Sequence, residues 1–191
     1  KKRAALFSCP PDLALDLTPG KFLLTNDHLI ITMQHMNVLM DADCLIKLTK
    51  AGLKEAVCAH LSVTIPQIVK QEVVDLGKNH PDSTMIKDNL GKGLLSLSGV
   101  ETPDGKGEEA ALAVFQSGGF DAVCSDDKRF IRRLRVLDVP YITPAVCVFL
   151  LLKQGKINLP DALEKLELLR PFISSDEYHT VKWALDTWRL P

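Results

Sequence analysis

The sequence predicts an α/β fold: a three-layer sandwich with a central parallel sheet and helices on both faces. Two observations carry this. From residue 36 onward, short apolar runs alternate with longer stretches of helical periodicity, the pattern of strands joined by crossover helices. Two of those runs, Asn37-Val38-Leu39-Met40 and Ala122-Val123-Cys124, end abruptly at acidic residues, Asp41 and Asp126-Asp127. In a parallel sheet, ligands sit outside the carboxyl ends of the strands, so both acidic tips lie where chemistry is expected.

Residues 1–35 read differently from the rest. Pro10-Pro11 and Pro19-Gly20 interrupt any periodicity, and Phe22–Leu24 and Leu29–Thr32 are candidates for two short strands around Asn26-Asp27. This segment is treated as an appendage, or a partner-like segment, preceding a domain at 36–155. The first strand covers about 37–41. A helical pattern follows from Cys44 through Ala59, softened at Gly52. Val63–Ile65 is a short strand, and Pro66 suits the first turn of a helix that carries Glu72 and ends near Gly77. Residues 82–91 form a helix behind Pro81, and Leu94–Val100 is a candidate strand. Gly107-Glu108-Glu109-Ala110-Ala111-Leu112-Ala113 opens a helix that Gly118-Gly119 stops. A strand at 121–125, a helix at 127–136, a strand at 139–142 and an apolar helix at 144–154 complete the domain. Two further helices, about 160–169 and 174–188, make a C-terminal helical extension over 156–191.

Composition narrows the function. A net charge of −1 gives no whole-molecule attraction to a polyanion, so nucleic-acid binding has to come from a local patch. The five cysteines form no C-x-x-C pair and several lie in apolar runs; they read as reduced core thiols of a cytoplasmic protein, not as a zinc site. No apolar run approaches the ~18 residues of a membrane span. The opening Lys-Lys-Arg lacks the apolar core of a signal peptide and an initiating Met.

The acidic positions Asp41, Glu72, Glu108, Glu109, Asp126 and Asp127 stand out. Crowded carboxylates repel one another unless a cation lies among them. A cage of oxygens suits a hard divalent ion, Mg²⁺ or Mn²⁺. Such an ion generates hydroxide from water and stabilises charge on a phosphoryl oxygen, so the expected substrate is a phosphate ester. Each acid also has an ordinary structural explanation: Asp41 as a helix cap, Glu72 as a solvated helix residue, Glu108 and Glu109 as partners of a helix dipole, and one of Asp126 and Asp127 as a cap. The functional reading rests on all of them occurring in one fold order.

Four stretches together resemble the PIN-domain ribonucleases: Asp41-Ala42-Asp43-Cys44-Leu45-Ile46-Lys47-Leu48, Ile65-Pro66-Gln67-Ile68-Val69-Lys70-Gln71-Glu72-Val73, the Gly107–Ala113 segment, and Ser125-Asp126-Asp127-Lys128-Arg129-Phe130. Their order and spacing fit that family over about 36–155, and the terminal helices look like the tail of one bacterial and archaeal subgroup. The resemblance implies metal-dependent hydrolysis of RNA by an acidic quartet with one or two Mg²⁺ or Mn²⁺ ions. Carried over by motif, the catalytic acids are Asp41, Glu72, Glu108 (or Glu109) and Asp127 (or Asp126). The implied metal ligands are Asp41, Glu108, Asp126 and Asp127, with the Ser125 hydroxyl holding a ligand or phosphate. Asp43 departs from the pattern, since many relatives carry a small or hydroxyl residue there. The resemblance further implies a VapC-type toxin of a toxin–antitoxin pair, a homodimer, and an antitoxin that covers the acidic groove; residues 1–35 are conjectured to be such a segment.

Lys128-Arg129-Phe130-Ile131-Arg132-Arg133-Leu134-Arg135 is the densest basic stretch. Phe130, Leu134 and Leu137 share a helical face and are expected to pack inward, leaving Lys128, Arg129, Arg132 and Arg133 to grip phosphates or simply to meet solvent. His60 and His80 read as surface residues, and Trp183 and Trp188 as packing anchors or an interface. The run Ala145–Leu152 reads as core or a dimer contact. Two other functions compete. Asp41-x-Asp43 after a strand also suits a phosphatase of the haloacid dehalogenase type, with Asp41 as nucleophile and Asp43 as general acid, although Cys44-Leu45 stands where that family has Gly-Thr. The other is a binding module that keeps the fold without the chemistry.

Overall fold

The computed structural model describes residues 36–71, 81–100 and 107–188. The candidate strands before residue 36, Glu72 and His80 lie outside the described residues.

Five strands form one all-parallel sheet: β1 (Asn37–Met40), β2 (Ser62–Ile65), β3 (Ser96–Leu97), β4 (Ala122–Cys124) and β5 (Tyr141–Ile142), in the order β3-β2-β1-β4-β5. The predicted sandwich is what forms. Side chains alternate across the pleat as a strand requires. Val38, Met40, Ala122, Cys124 and Ile142 enter the larger core, while Leu39, Val123 and Tyr141 enter the smaller one on the other face. Both faces being covered, the strands read as continuous apolar runs.

Nine α-helices lie among the described residues. On the larger core pack α1 (Ala42–Lys50), α2 (Lys54–His60), α7 (Pro144–Lys153), α8 (Leu159–Leu169) and α9 (Ser175–Thr187), together with Val69 of the short α3 (Gln67–Lys70) and Ile86 of α4 (Pro81–Gly91). On the smaller core pack α5 (Gly107–Gln116) and α6 (Lys128–Val136). No helix among the described residues is long and apolar enough to cross a membrane.

Several boundaries differ from the sequence expectation, each for a local reason. The helix expected over 44–59 is two helices, because Gly52 sits at φ +65° directly after α1, the left-handed position that ends a helix. The strand expected over 94–100 is reduced to Ser96–Leu97. Ser98 adds one ladder bond to the Ile65 carbonyl (2.9 Å), and its Oγ then accepts from Val100 N (3.1 Å), a local turn that competes with further pairing. Leu137, expected to pack inward, is 47% exposed: α6 ends at Val136, and Leu137 has left the helical conformation that would carry it onto the buried face.

Every residue of α7 from Pro144 to Leu152 is buried, the signature of a helix apolar all round. Of the two readings of that run, core holds, since α8 and α9 cover it. Trp188 meets Phe149 edge-on at 5.3 Å between ring centroids, whereas Trp183 is 52% exposed.

Candidate metal and nucleic-acid site

The strand order runs outward from β1 in both directions, so the chain direction switches between β1 and β4. Crevices open at such switch points, beyond the carboxyl ends of the strands. Met40 pairs with Cys124 at the end of both strands, and Asp41 N donates to the Cys124 carbonyl (3.1 Å). Beyond that last bond lies a cleft of about 250 Å³. Asp41, Asp43, Glu108, Ser125 and Asp127 line it, with Val69 and Phe130 among its apolar walls.

Asp41 ends β1 and caps α1: its Oδ1 accepts from Cys44 N at 2.8 Å. The buried Ser125 hydroxyl is its other main partner. Burial holds the Asp41 carboxyl above the ordinary Asp range, and the negative charge of Asp126 adds to the effect; the hydrogen bonds from Ser125 and Cys44 offset only part of it. Asp41 therefore caps α1 and also lines the cleft.

Asp127 combines the same two roles. It caps α6, accepting from Arg129 N (2.7 Å) and Phe130 N (2.8 Å), and both bonds end on Oδ1. Those amides, the Phe130 one first, hold its carboxyl below the ordinary range, helped by the charges of Arg129 and Arg132. Ser125 Oγ accepts from Asp127 N at 3.3 Å, so one hydroxyl ties the two strand tips together.

Asp126 goes elsewhere. It is absent from the cleft lining and turns toward α1, where Lys47 Nζ lies 2.5 Å from its Oδ2 and Cys44 Sγ 3.8 Å from its Oδ1. Burial is the largest single influence on Lys47 and lowers its pKa, but the hydrogen bond to Asp126 and the negative charges around it together raise it above the ordinary value. The structure thus brings Asp41, Glu108 and Asp127 of the sequence-predicted acids into one cleft and does not bring Asp126 there. Glu109 is exposed and does not line the cleft, while Glu108, its neighbour in the first turn of α5, does. Asp43, the departure from the family pattern, is exposed and lines the cleft as well.

Glu177 is not among the acids that the sequence singles out for the site. It is buried on α9, and its Oε1 accepts from Ala145 N (2.9 Å) at the start of α7, whose own cap residue Thr143 makes no side-chain cap bond. Burial raises its pKa, while Asp126 and Lys47 act on it with opposite signs, placing it within electrostatic reach of both. The available signal was indirect: a helix opening at Thr143-Pro144 leaves amides that a distant acid can satisfy.

The basic residues Lys128, Arg129, Arg132 and Arg133 are all exposed on α6, while Phe130 of the same helix is buried and lines the cleft. The cationic face therefore begins at the edge of the acidic one. Part of it is engaged: Lys128 Nζ lies 3.7 Å from Asp176, and Arg132 Nε donates to the Lys128 carbonyl (3.1 Å).

Among the described residues, no three His, Cys, Asp or Glu side chains converge closely enough to form a closed metal cage. The chemistry of the cleft's donors is nonetheless of the kind that hard cations take. Its donors are carboxylate and hydroxyl oxygens, one carboxylate is held at a cost by burial, and Mg²⁺ takes one or two carboxylates with water and substrate completing the shell. The buried cysteines, by contrast, are core residues.

Residues 37–186 match the family model described as the PIN domain. No curated protein matches the sequence.

Proposed function

The chain belongs to the PIN-domain family, a nuclease fold, and from that premise we propose that it is a Mg²⁺- or Mn²⁺-dependent endoribonuclease. One observation carries the reading. Three acids from three separate elements, Asp41 after β1, Glu108 on α5 and Asp127 after β4, line a single cleft at the switch point of the sheet.

A bound divalent ion would supply charge for a phosphoryl oxygen and a water acidic enough to attack at neutral pH. Asp41 and Asp127 are assigned as its principal holders, with Glu108 across the cleft and Glu72 completing the quartet. Ser125 orients Asp41 through its hydroxyl. Lys128, Arg129, Arg132 and Arg133 hold the RNA backbone, since phosphate contacts supply most sequence-independent affinity. The small catalytic domain suits a VapC-type toxin acting in the cytoplasm as a homodimer, restrained by an antitoxin whose chain covers the acidic cleft with a basic residue.

Incubation of labelled total RNA with and without Mn²⁺, comparing the parent with Asp41→Asn, tests the reading. Cleavage by the parent that requires the metal and falls by roughly 100-fold or more in the variant is expected, the size of loss seen when one preorganised electrostatic group is removed from a catalytic site. Retained activity in Asp41→Asn removes the assignment. An Asp41 adduct with fluoroberyllate, without RNA cleavage, points instead to the aspartyl phosphatase chemistry that Asp41-x-Asp43 also permits.

A further inference from the structure

Two adjacent carboxylates, Asp126 and Asp127, follow the end of β4, and only Asp127 of the two lines the cleft. Three fastenings fix the outcome. Ser125 is buried against Asp41. Asp127 is pinned by the amides of α6. Asp126 is drawn the other way by α1, where Cys44 and Lys47, three residues apart and therefore on one helix face, both reach it. The Lys47–Asp126 bond is short, charge-assisted and only partly solvated, with the side chains 24% and 14% exposed. Without the lysine, Asp126 would be a largely buried, unpaired charge close to Asp41 and Glu177.

We propose that Lys47 is a positioning residue: its ion pair with Asp126 draws that carboxylate onto α1 and leaves Asp127 as the β4 acid that faces the cleft. The proposal rests on the metal-dependent reading above and deepens it, since it determines which acid the cation meets. Lys47 does not line the cleft and needs no contact with substrate.

The test is Mn²⁺ affinity of the full chain by isothermal titration calorimetry, together with crystals grown in Mn²⁺. Asp127→Asn is expected to weaken binding roughly 10-fold or more, the range typical of lost metal-site partners. Adding Lys47→Met releases Asp126. The double variant is expected to regain several-fold in affinity, with Asp126 as a Mn²⁺ ligand in the crystal. Lys47→Arg keeps the pair, so in the Asp127→Asn background it stays weak. Lys47→Gln serves as a second, milder release and is expected to give a partial recovery. Affinity that stays low when the pair is removed overturns the proposal. So does recovered affinity with Asp126 still lying against α1, because loss of the lysine's charge then explains it. A parent that binds Mn²⁺ no better than Asp127→Asn also overturns it. A parent that binds no Mn²⁺ at all overturns the metal-dependent reading, and this inference with it.

Discussion

Asp41 is an acid that the fold accommodates poorly in its ionised form. Its pKa is raised by burial, so the protonated form is favoured in the folded chain relative to the unfolded one. Below the unfolded Asp value, near pH 4, both states are protonated and there is no penalty. As the pH rises through the folded value, that advantage is lost. Metal-free parent protein should therefore lose stability from about pH 4 upward relative to Asp41→Asn, which cannot ionise. Asn caps a helix as well as Asp, so the variant should stay folded. Thermal melts in a chelator across that range check this, and parallel pH profiles for the two proteins would contradict it. Asp127 has the opposite sign: its lowered pKa gives stability above the unfolded value that is lost as the pH falls through the folded one. The sequence showed both strand-tip acids but left Asp126 and Asp127 interchangeable. The choice depends on Lys47, which is 79 residues away from Asp126 in the chain, and no local pattern records a pairing at that distance.

α6 and α7 show opposite patterns at the level of elements. α6 divides into a buried side with Phe130 and Leu134 and an exposed side with Lys128, Arg129, Arg132 and Arg133. Replacing Arg132 and Arg133 together by Ala should weaken RNA binding without sequence preference. It should also flatten the plot of log affinity against log salt by roughly 0.7 for each phosphate of single-stranded RNA that the variant no longer neutralises. Binding measured at several salt concentrations tests this, and an unchanged slope would mean that the basic face lies off the RNA path. α7 has no exposed side among Pro144–Leu152. Leu151→Ala there should cost about 2–5 kcal/mol in a denaturant titration, the range for truncating a leucine in a close-packed core. The periodicity of α6 was legible because one face is solvated. That of α7 was not, because a helix buried on every side carries no contrast to read. The end of β3 was also hidden: it depends on a hydroxyl turning back on its own backbone rather than on hydrophobicity.

Across the molecule, the C-terminal helices share one core with the first strand. Leu166 and Leu169 of α8 and Val181 and Leu185 of α9 belong to the same buried cluster as Val38 and Met40 of β1. Glu177 of α9 also satisfies an amide at the start of α7, within electrostatic reach of Asp126 and Lys47. A chain ending at residue 155 would uncover α7, so it is expected to show no cooperative thermal unfolding. A sharp transition near that of the full chain would mean that the extension over 156–191 is a separate unit. The domain boundary placed at 155 from sequence followed the motifs, which lie on the strand ends. The buried cluster runs on past that point into α8 and α9.

The order of strands and helices, the parallel sheet and the acidic positions at Asp41, Glu108-Glu109 and Asp126-Asp127 could be read from the chain because each is a local signal: a change of period, a glycine stop, an acid closing an apolar run. Which of two neighbouring acids enters the cleft, which helix covers α7 and where Glu177 goes depend on contacts between segments far apart in sequence. Those were settled when the sheet closed and each charge had to find a counter-charge, an amide or water, a requirement that acts on the assembled core and leaves no trace in any single stretch.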